Sequence, residues 1–337
     1  MRIRFGVAIP SCMEGLMYPI PFASAADVLE IVTSAEQFGY DSVWANDHIT
    51  TQEYVRKSFP SPPNYYDALV TLSFAAQATK KVFLAAGLIP LPLREPVQLA
   101  KQVATLDVFS GGRMILGVGL GAYLEEFEAL HPTMKGVVRA ELLDEELRAL
   151  VKLFKEPTAS FDGKYVKFAD IQLYPKPLQD PLPIYIGGNS TKAIERTVQL
   201  GQGWFPAGFT PAEMAERIAI LHRLCKANGR DPTKIDVAPQ LSICTGRTDE
   251  EAVKKYKKSQ LYKHDISLLE STLKGMDMER FYERDLIGSE DRVIKRAEEY
   301  VDAGLTHFAG LIFVANTAAH MVNEMRIFAE RIMPSFK

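Results

Sequence analysis

Two side chains that can exchange protons stand next to each other after an apolar, β-branched segment. Asp47 and His48 follow "DSVWA" (41–45), whose pattern predicts a buried strand. A carboxyl group and an imidazole at the end of such a strand could share a proton and perform acid–base chemistry. An Asp at the start of a loop also commonly caps a turn, and a single His is more often structural, so both roles stay open.

A second polar segment, "GGNSTKA" (187–193), lies between a predicted strand and a predicted helix and begins with Gly187 and Gly188. The two glycines allow close backbone approach, and Ser190 or Thr191 can cap the helix. The unpaired N–H groups at a helix start favour an anion, so this segment predicts a phosphate-binding site. A plain strand-to-helix turn with a serine cap would use the same residues.

Alternating glycines mark a third segment, "GVGLG" (117–121), at the end of another predicted strand. The spacing of Gly117, Gly119 and Gly121 matches neither a Walker loop nor the complete GxGxxG fingerprint, so it is weak as a nucleotide signature. One interpretation is a strand that bends tightly at its end. The other is a backbone ledge beneath a flat ligand, with Tyr123 beside it, and the spacing does not decide between them.

Several function classes find no support in the sequence. The chain has no HxH, HExxH or Cys/His cluster, which argues against a catalytic metal, and no GxSxG elbow, which removes the main reason to propose an acyl hydrolase. A net charge of −3 over 337 residues gives no general field for nucleic acid or an acidic membrane. The sequence therefore predicts a small-molecule substrate and neither of those partners.

Cysteine usage and hydropathy predict a cytoplasmic protein. Cys12, Cys225 and Cys244 are odd in number and widely spaced, which argues against a disulfide framework and favours a reducing compartment. The apolar run before Pro10 is too short for a signal-peptide core, and we expect no membrane span elsewhere.

The order of the predicted elements indicates the architecture. Eight apolar runs alternate with eight stretches of helical period, which is the pattern of repeated βα units. This pattern favours an α/β fold, a single (β/α)8 TIM barrel over residues 1–337, rather than a doubly wound sheet, because Pro10 and not a glycine fingerprint follows the first strand. The extra length forms three predicted insertions, near 46–65, 157–182 and 254–287.

The predicted elements have definite bounds. The strands are expected at 3–9, 41–45, 81–89, 113–118, 183–187, 202–206, 235–243 and 306–313. The helices are expected at 24–38, 66–79, 96–109, 136–154, 190–200, 211–228, 290–303 and 317–331. Within the second insertion, Asp162 and Gly163 form a turn signal between alternating residues and predict a β-hairpin.

Four blocks of the chain, taken in order, resemble the bacterial luciferase-like superfamily of flavin-dependent monooxygenases and related deazaflavin-dependent oxidoreductases. The blocks are "GYDSVWANDHI" (39–49), "REPVQLAKQVATLDVFSGGRMILGVGLG" (94–121), "PIYIGGNSTKAIERTVQLGQGWFPAG" (183–208) and "IGSEDRVIKRAEEYVDAGLTHF" (287–308). The resemblance covers nearly the whole chain. It implies a (β/α)8 barrel, usually dimeric, with the cofactor at the C-terminal rim and the phosphate near the loop after strand five.

The resemblance also implies roles for three groups of residues. Asp47 and His48 match a pair that contacts the ring edge and serves acid–base chemistry in deazaflavin members. The loop after the fourth strand would line one side of the cofactor, through Gly119, Leu120, Gly121, Ala122 and Tyr123. The loop after the fifth strand would hold the cofactor phosphate, through Gly187, Gly188, Asn189, Ser190 and Thr191.

Two positions depart from the pattern of the superfamily. In luciferases a basic residue corresponds to Leu120 and contacts phosphate, so here neutral donors must hold most of the phosphate, or the cofactor differs. In the sugar-phosphate dehydrogenases of the deazaflavin group a glutamate follows the GxG, whereas this chain has Ala122. Glu125 and Glu126 come further on, so a sugar-phosphate substrate is disfavoured.

Members of the superfamily often have a cis peptide bond without proline where the third strand ends, which forms a bulge against the cofactor ring. The matching bond here is Gly87–Leu88, within "LAAGLIPLPLREP" (84–96). Pro90, Pro92 and Pro96 follow it and would fix an extended exit and start the next helix near Pro96. The alternative is an all-trans loop that the prolines stiffen.

Three hypotheses for the function follow. The first is an oxidoreductase that uses reduced FMN for monooxygenation, or coenzyme F420 for hydride transfer, on an unidentified small organic substrate. The residues do not separate the two cofactors. The second is a member of the superfamily that binds flavin without catalysis. The third, a phosphate-binding lyase or isomerase, rests on the barrel alone, and no convincing Lys or Glu candidate lies at a strand end.

Two further expectations concern surfaces. The helix in 65–78 carries small and aromatic residues around much of its circumference, which favours a homodimer through this helix or else packing against a neighbouring insertion. Aromatic residues of the first and third insertions, among them Tyr54 and Tyr65, could line an apolar substrate entrance or simply pack the insertions onto the barrel.

Overall fold

The computed structural model describes residues 2–270, 273, 275, 277–278 and 281–336. Within these residues, ten strands form one curled parallel sheet, and two strands form a separate antiparallel hairpin. The strands are β1 (Arg4–Ile9), β2 (Ser42–Ala45), β3 (Phe83–Pro90), β4 (Met114–Gly119), β5 (Ala159–Asp162), β6 (Lys167–Ile171), β7 (Ile184–Gly187), β8 (Gly203–Phe205), β9 (Asp236–Val237), β10 (Ser242–Thr245), β11 (Leu286–Gly288) and β12 (His307–Phe313). The order in the large sheet is β11-β10-β12-β1-β2-β3-β4-β7-β8-β9.

Helices cover the outer face of the sheet. The α-helices are α1 (Ala25–Phe38), α2 (Glu53–Ser58), α3 (Ala68–Ala78), α4 (Pro96–Ser110), α5 (Leu124–Leu130), α6 (Arg139–Lys155), α7 (Thr191–Leu200), α8 (Pro211–Ala227), α9 (Asp249–Lys257), α10 (Gln260–Ser267), α11 (Glu290–Asp302) and α12 (Ala318–Arg331). Short 3-10 segments lie at Leu91–Leu93, Pro132–Met134, Pro232–Lys234, Leu268–Glu270, Phe281–Arg284 and Met333–Phe336. Among the residues described, no helix is long and apolar enough to cross a membrane.

The main sheet has the burial expected of parallel strands. Every residue of β4 and β12 is buried, because helices cover one face and the opposite face lies inside the curl. Inside the curl, the Trp44 ring packs against Phe205, with 5.1 Å between ring centroids, and against Tyr185 at 5.6 Å. This aromatic cluster fills the space beneath the rim where the strands end.

One predicted strand, 235–243, is interrupted in the structure. β9 ends at Val237 and β10 begins only at Ser242, since Pro239 between them has no N–H to donate to a ladder. Carbonyl groups of the interrupted segment instead accept hydrogen bonds from backbone N–H groups of β12 and of the residue before it. These bonds bring the last strand of the sheet, β9, back to β12 near its other end. These bonds run from Thr306 N to Val237 O (3.0 Å), from Ala309 N to Pro239 O (3.2 Å) and from Ile312 N to Leu241 O (3.0 Å).

The other predicted elements are confirmed, and five elements are additional, namely α2, α5, α9, α10 and β11. All eight predicted helices are present, each within three residues of its expected bounds. The hairpin is present, with Asp162 paired to Lys167 across it. The segment 46–65, expected as a loop, contains α2, and α5 follows β4. The predicted insertion 254–287 ends in β11, and its residues 271, 272, 274, 276, 279 and 280 lie outside the described residues.

The predicted bulge at the end of the third strand is confirmed. The Gly87–Leu88 peptide bond is cis, and the pairing of β3 with β4 shifts register between Ala86 and Ile89. The strand then resumes, with Pro90 opposite Gly119, and α4 begins at Pro96 as expected. The bulge therefore lies at the C-terminal ends of β3 and β4.

At the opposite end of the sheet, a single arginine joins three elements. The Arg113 guanidinium donates to the carbonyl of Ser110 at the end of α4 and to the carbonyl of Val82 before β3. It also donates to the carbonyl of Ala76 in α3 and to the carbonyl and hydroxyl of Thr79. These five hydrogen bonds fix the N-terminal ends of the strands.

Candidate functional site

The sequence-predicted site residues fall along one edge of the sheet. β2, β3, β4 and β7 are consecutive neighbours in the sheet and run in parallel, so their C-terminal ends share one rim. Asp47 and His48 follow the end of β2, Tyr123 follows β4, and Gly188 and Ser190 follow β7. Catalytic groups of such folds lie at this rim, which makes it the candidate active site.

Asp47 is held by an arginine and not by its neighbour His48. Its side chain is fully buried, and Arg94 contacts it in bidentate fashion, with Nη2 2.6 Å from Oδ1 and Nε 3.1 Å from Oδ2. Burial raises the pKa of Asp47, although the Arg94 charge opposes this effect. Arg94 also reaches Asp67, the N-cap of α3, at 2.9 Å. Among the described contacts, the Asp47 carboxyl group therefore does not hydrogen-bond to His48, and it anchors the exits of β2 and β3 together.

The partner of His48 is Glu126. The His48 Nδ1 atom lies 3.0 Å from Glu126 Oε2, and the other carboxylate oxygen accepts the backbone N–H groups of Ile49 at 2.6 Å and Thr50 at 3.2 Å. Burial acts to raise the pKa of Glu126, but these hydrogen bonds outweigh it and lower that pKa. Glu126 is consequently a carboxylate, and since a carboxylate only accepts, Nδ1 is the nitrogen that bears the proton.

This arrangement leaves the second ring nitrogen of His48 available. The oxygen of the Gln52 side-chain amide accepts the Tyr65 hydroxyl at 2.8 Å, and the amide nitrogen lies 2.9 Å from Nδ1. Both this nitrogen and the protonated Nδ1 are donors, so this contact is not a hydrogen bond. Within the described part of the chain, no group hydrogen-bonds to His48 Nε2. Nε2 can therefore accept a proton from, or donate one to, a bound molecule.

Four ring side chains, which we call the aromatic wall, surround His48 on one side. Tyr65 and Tyr123 lie with their ring centroids 5.9 Å and 5.8 Å from that of His48. Tyr54 of α2 lies 6.2 Å from Tyr123, and its hydroxyl is 2.8 Å from Nδ1 of His264 in α10. The wall thus consists of Tyr54, Tyr65, Tyr123 and His264, and it joins the first and third insertions.

The glycines at the ends of β4 and β7 make room for Leu88. A Cβ atom would lie 3.0 Å from the Leu88 side chain at Gly117, 2.8 Å at Gly119 and 2.2 Å at Gly187. Real Cβ atoms essentially never come within 3.0 Å, so larger residues at Gly119 and Gly187 would displace the side chain at the bulge. Gly119 and Gly187 therefore make room for Leu88, and at Gly117 a Cβ atom would also lie 2.1 Å from the Ala86 carbonyl oxygen.

The predicted phosphate site is a helix N-terminus with neutral polar groups. Ser190 caps α7, since its hydroxyl accepts Ala193 N at 3.2 Å, and the side chains of Ser190 and Thr191 are exposed. The Asn189 amide does not point to a ligand, because it donates to Ala207 O at 2.8 Å and accepts Ala207 N at 3.1 Å. These hydroxyls and the first N–H groups of α7 fit a phosphate.

The Arg139 guanidinium lies beside the loop that contains Leu120, the position at which luciferases have a basic residue. Leu120 is partly exposed, and Arg139 Nη1 approaches the carbonyl of Gly121 at 3.2 Å and that of Leu120 at 3.4 Å. The sequence interpretation gave no catalytic or binding role to Arg139 or Glu126, because both lie in helices that begin beyond the loop after β4. The one usable signal was the pair of acidic residues at 125 and 126, in the first turn after the glycine-rich exit.

Comparison with known proteins identifies the family of the chain. Residues 3–307 match the family model of the luciferase-like monooxygenases. An F420-dependent glucose-6-phosphate dehydrogenase of Kineococcus radiotolerans is 27% identical over 299 residues, covering 82% of this chain and 84% of the relative. An FMNH2-dependent dimethylsulfone monooxygenase of Pseudomonas putida is 32% identical over 186 residues, covering 54% of this chain and 50% of the relative.

A solved structure supports the same assignment of the fold. An F420-dependent secondary alcohol dehydrogenase, in complex with an F420-acetone adduct, superposes with a TM-score of 0.79 at 22% identity, covering 100% of both chains. At this identity the superposition establishes the α/β fold alone. The family model, in contrast, spans most of the sequence. The chain therefore belongs to the luciferase-like monooxygenase family.

Proposed function

We propose that this protein is an oxidoreductase that binds reduced FMN or coenzyme F420 at the rim and acts on a small organic substrate. The observation that carries the proposal is the fixed imidazole of His48, whose Nδ1 is engaged by Glu126 and whose Nε2 faces no described partner. Relatives whose names specify F420 and FMNH2 support the same class of cofactor.

The cofactor would lie across the ends of β3, β4 and β7. Reduced FMN supplies oxygen activation for monooxygenation, and F420 supplies hydride transfer. On one side, the ring system would contact the bulge and the loop after β4, through Gly87, Leu88, Gly119, Leu120, Gly121, Ala122 and Tyr123. The phosphate would bind at the start of α7, through Gly187, Gly188, Asn189, Ser190 and Thr191. Asn189 would act indirectly, by holding the loop to Ala207.

Side chains of the protein itself would transfer the proton. We propose that His48 Nε2 moves a proton to or from the substrate, while Glu126 fixes the tautomer and stabilises the imidazolium form. Asp47, predicted as a second catalytic group, would act as a positioning residue, because its carboxylate is occupied by Arg94. The Asp47–Arg94 pair would hold the segment that precedes His48.

Titration of the purified protein with FMN and with F420, followed by fluorescence, tests the proposal. We expect one of them to bind tightly, and we expect His48→Ala to retain this binding. A partly exposed histidine far from the rim pair, His320, provides the control variant His320→Ala, which should behave as the parent does. Absence of tight binding of either cofactor would refute the proposal. Binding without cofactor-linked turnover of any substrate in the parent would instead favour a non-catalytic flavin-binding protein.

The proposal includes a single (β/α)8 barrel domain over residues 1–337. Eight positions would make up the barrel, namely β1, β2, β3, β4, β7, β8, the interrupted segment β9 with β10, and β12. The hydrogen bonds of Thr306, Ala309 and Ile312 to the interrupted segment support closure. Limited proteolysis tests this proposal, and we expect cleavage in the insertions near 46–65, 157–182 and 254–287 without release of a stable half.

We further propose a homodimer in the cytoplasm. Val70 and Phe74 of α3 and Phe109 of α4 expose 57%, 63% and 82% of their surfaces, and the two helices pack side by side. Large apolar side chains exposed on neighbouring helices favour a protein partner. Sedimentation should give a dimer that Phe74→Glu dissociates, and a monomeric parent at micromolar concentration would refute the proposed dimer.

The three free cysteines Cys12, Cys225 and Cys244 suit a reducing compartment, which supports the proposed cytoplasmic location.

A further inference from the structure

A polar cleft of about 210 Å³ lies between α6 and α7. Its side chains are mostly charged, and its polar lining consists of Asp144, Arg148, Lys192, Glu195, Arg196 and Gln199. The proposed contacts to the cofactor ring and phosphate involve none of these residues. The cleft is therefore a separate feature of the surface, and its charges need an explanation of their own.

One end of the cleft lies beside the proposed phosphate site. β4, β7 and β8 are parallel, and α6 and α7 each connect two of these strands, so the two helices run in the same direction. Arg196 Nη2 lies 3.2 Å from Asp144 Oδ2, and each of these two residues is the sixth of its helix. The first turns of both helices therefore lie side by side. Lys192, in the first turn of α7, marks the end of the cleft that is nearest the phosphate.

The charges of the cleft leave positive charge uncompensated. Arg196 and Asp144 neutralise each other through two hydrogen bonds. Lys192 Nζ lies 3.4 Å from Glu195 Oε2, but Lys192 is 79% exposed, and such a surface pair contributes little. Arg148 is exposed and forms no ion pair with any residue that the structure describes. Lys192 and Arg148 are therefore the two cations that a ligand can engage.

The spacing of these two cations suits an anionic chain better than a single ion. At 1.5 Å per residue, Lys192 lies about 6 Å before the level of the Arg196–Asp144 pair, and Arg148 lies about 6 Å beyond it. A chain of carboxylates that continues from a phosphate at the start of α7 would meet Lys192 first and Arg148 second. Coenzyme F420 has such a chain, because glutamate residues follow its phosphate, whereas FMN ends at the phosphate.

We infer that the cleft between α6 and α7 binds the glutamate tail of coenzyme F420 through Lys192 and Arg148, and that F420 is the cofactor of this protein. This inference rests on the proposed function, because it selects one of the two cofactors proposed for the same rim. The ring and the phosphate keep their proposed positions. The tail lies outside the rim, between the two helices.

Fluorescence titration of the full chain with three probes tests the inference. The probes are F420 with its glutamate tail, F420 that lacks the glutamates, and FMN. We expect F420 with its tail to bind most tightly. Lys192→Met and Arg148→Met should each weaken its binding about twofold to fivefold, the range of an exposed ion pair, and leave the form without glutamates unaffected. Added salt should reduce the advantage of the tail, because both cations are exposed.

Arg223 of α8 provides the matched control. It is an exposed arginine without an ion pair to the residues that the structure describes, so Arg223→Met removes the same charge away from the cleft. This variant should bind all three probes as the parent does.

The possible failures of the inference and of the proposed function are distinguishable. Equal affinity for F420 with and without its glutamates, or tighter binding of FMN than of F420, would overturn the inference and leave the proposed function intact. A loss in Arg148→Met that is the same for both forms of F420 would also overturn it, because the effect would then not involve the tail. Absence of binding of either cofactor would refute the proposed function and the inference with it.

Discussion

The ends of β2 and β7 lie on the same rim but consist of different kinds of groups. After β2, Asp47 and His48 are charged or titratable side chains that are held by other side chains, and Glu126, the partner of His48, is 3% exposed. After β7, Gly188 and Ser190 are exposed and offer backbone N–H groups and a hydroxyl. The first region suits proton transfer, and the second suits binding of an anion.

The difference indicates how each region should respond to substitution. A buried charge depends on a specific partner, and removal of that partner leaves the charge uncompensated. Backbone N–H groups, in contrast, persist when a side chain is replaced. We therefore expect large effects of substitutions after β2 and modest effects after β7, and four predictions test this contrast.

Replacement of His48 should have the largest effect. Loss of a general acid–base group typically lowers the rate about 100-fold to 10,000-fold, and we expect His48→Ala to lower kcat in this range. Cofactor affinity should change by less than about twofold, because no charge at the phosphate site is altered. Steady-state kinetics with the identified substrate measure the effect, and a loss smaller than about tenfold would remove His48 from the chemistry.

Breaking the buried pair after β2 should destabilise the fold. Arg94→Met leaves the Asp47 carboxyl buried without its cation, and removal of one member of such a pair costs about 3 to 5 kcal/mol. Urea denaturation measures this loss. Arg247→Met, at a side chain that is 90% exposed and paired with Glu251, is the matched control and should cost at most about 1 kcal/mol. Equal losses would refute the contrast between buried and exposed pairs.

The Glu126 carboxylate should make stability depend on acid pH. Its pKa is lowered in the folded protein, so its contribution is present above the usual value of 4.5 and is lost as pH falls through the folded-state pKa. Glu126→Gln weakens charge-assisted hydrogen bonds, and we expect a loss of about 1.5 to 3 kcal/mol at neutral pH. Denaturation across pH should show the difference from the parent shrinking below pH 4.5. A difference that is constant with pH would contradict this assignment.

Substitution at the phosphate site should have the smallest effect. Ser190→Ala removes the N-cap of α7, which typically costs about 1 kcal/mol, and the loss should not vary with pH. Cofactor affinity should fall by less than about tenfold, because the backbone donors remain. Thr248→Ala removes the equivalent cap of α9 and should lower stability similarly without any change in affinity. A loss of affinity above about 100-fold would show that the hydroxyl, and not the backbone, dominates binding.

The fold could be predicted from the sequence where local signals were strong. Helices α1 and α8 begin with capping boxes at Ser24 and Thr210, and the central strands are continuous apolar runs. The missed elements, α2, α5, α9, α10 and β11, have at most nine residues, and such short segments depend on tertiary contacts more than on local preference. The break near Pro239 could have been inferred, because proline interrupts a strand inside a sheet.

The site could be predicted only in part, for a related reason. Parallel strands bring their C-terminal ends to one rim, so the sequence could predict that His48 and the loop at 187–191 lie on that rim. The pairing of His48 with Glu126 joins residues 78 positions apart, and that of Asp47 with Arg94 joins residues 47 apart. No local pattern encodes such contacts. The sequence therefore indicated which side chains reach the rim but not which of them pair.

Arg113 anchors the end of the sheet opposite the rim, and this anchor does not depend on the rim loops. The independence matters for protein engineering. Its five hydrogen bonds connect α3, α4 and the start of β3, and none of its partners belongs to a rim loop. Loops at the rim can therefore be exchanged for those of relatives with other substrates while this anchor stays intact. Lysine, with one compact ammonium group, does not reproduce the planar fork of donors, so arginine at 113 is the residue that such chimeras must keep.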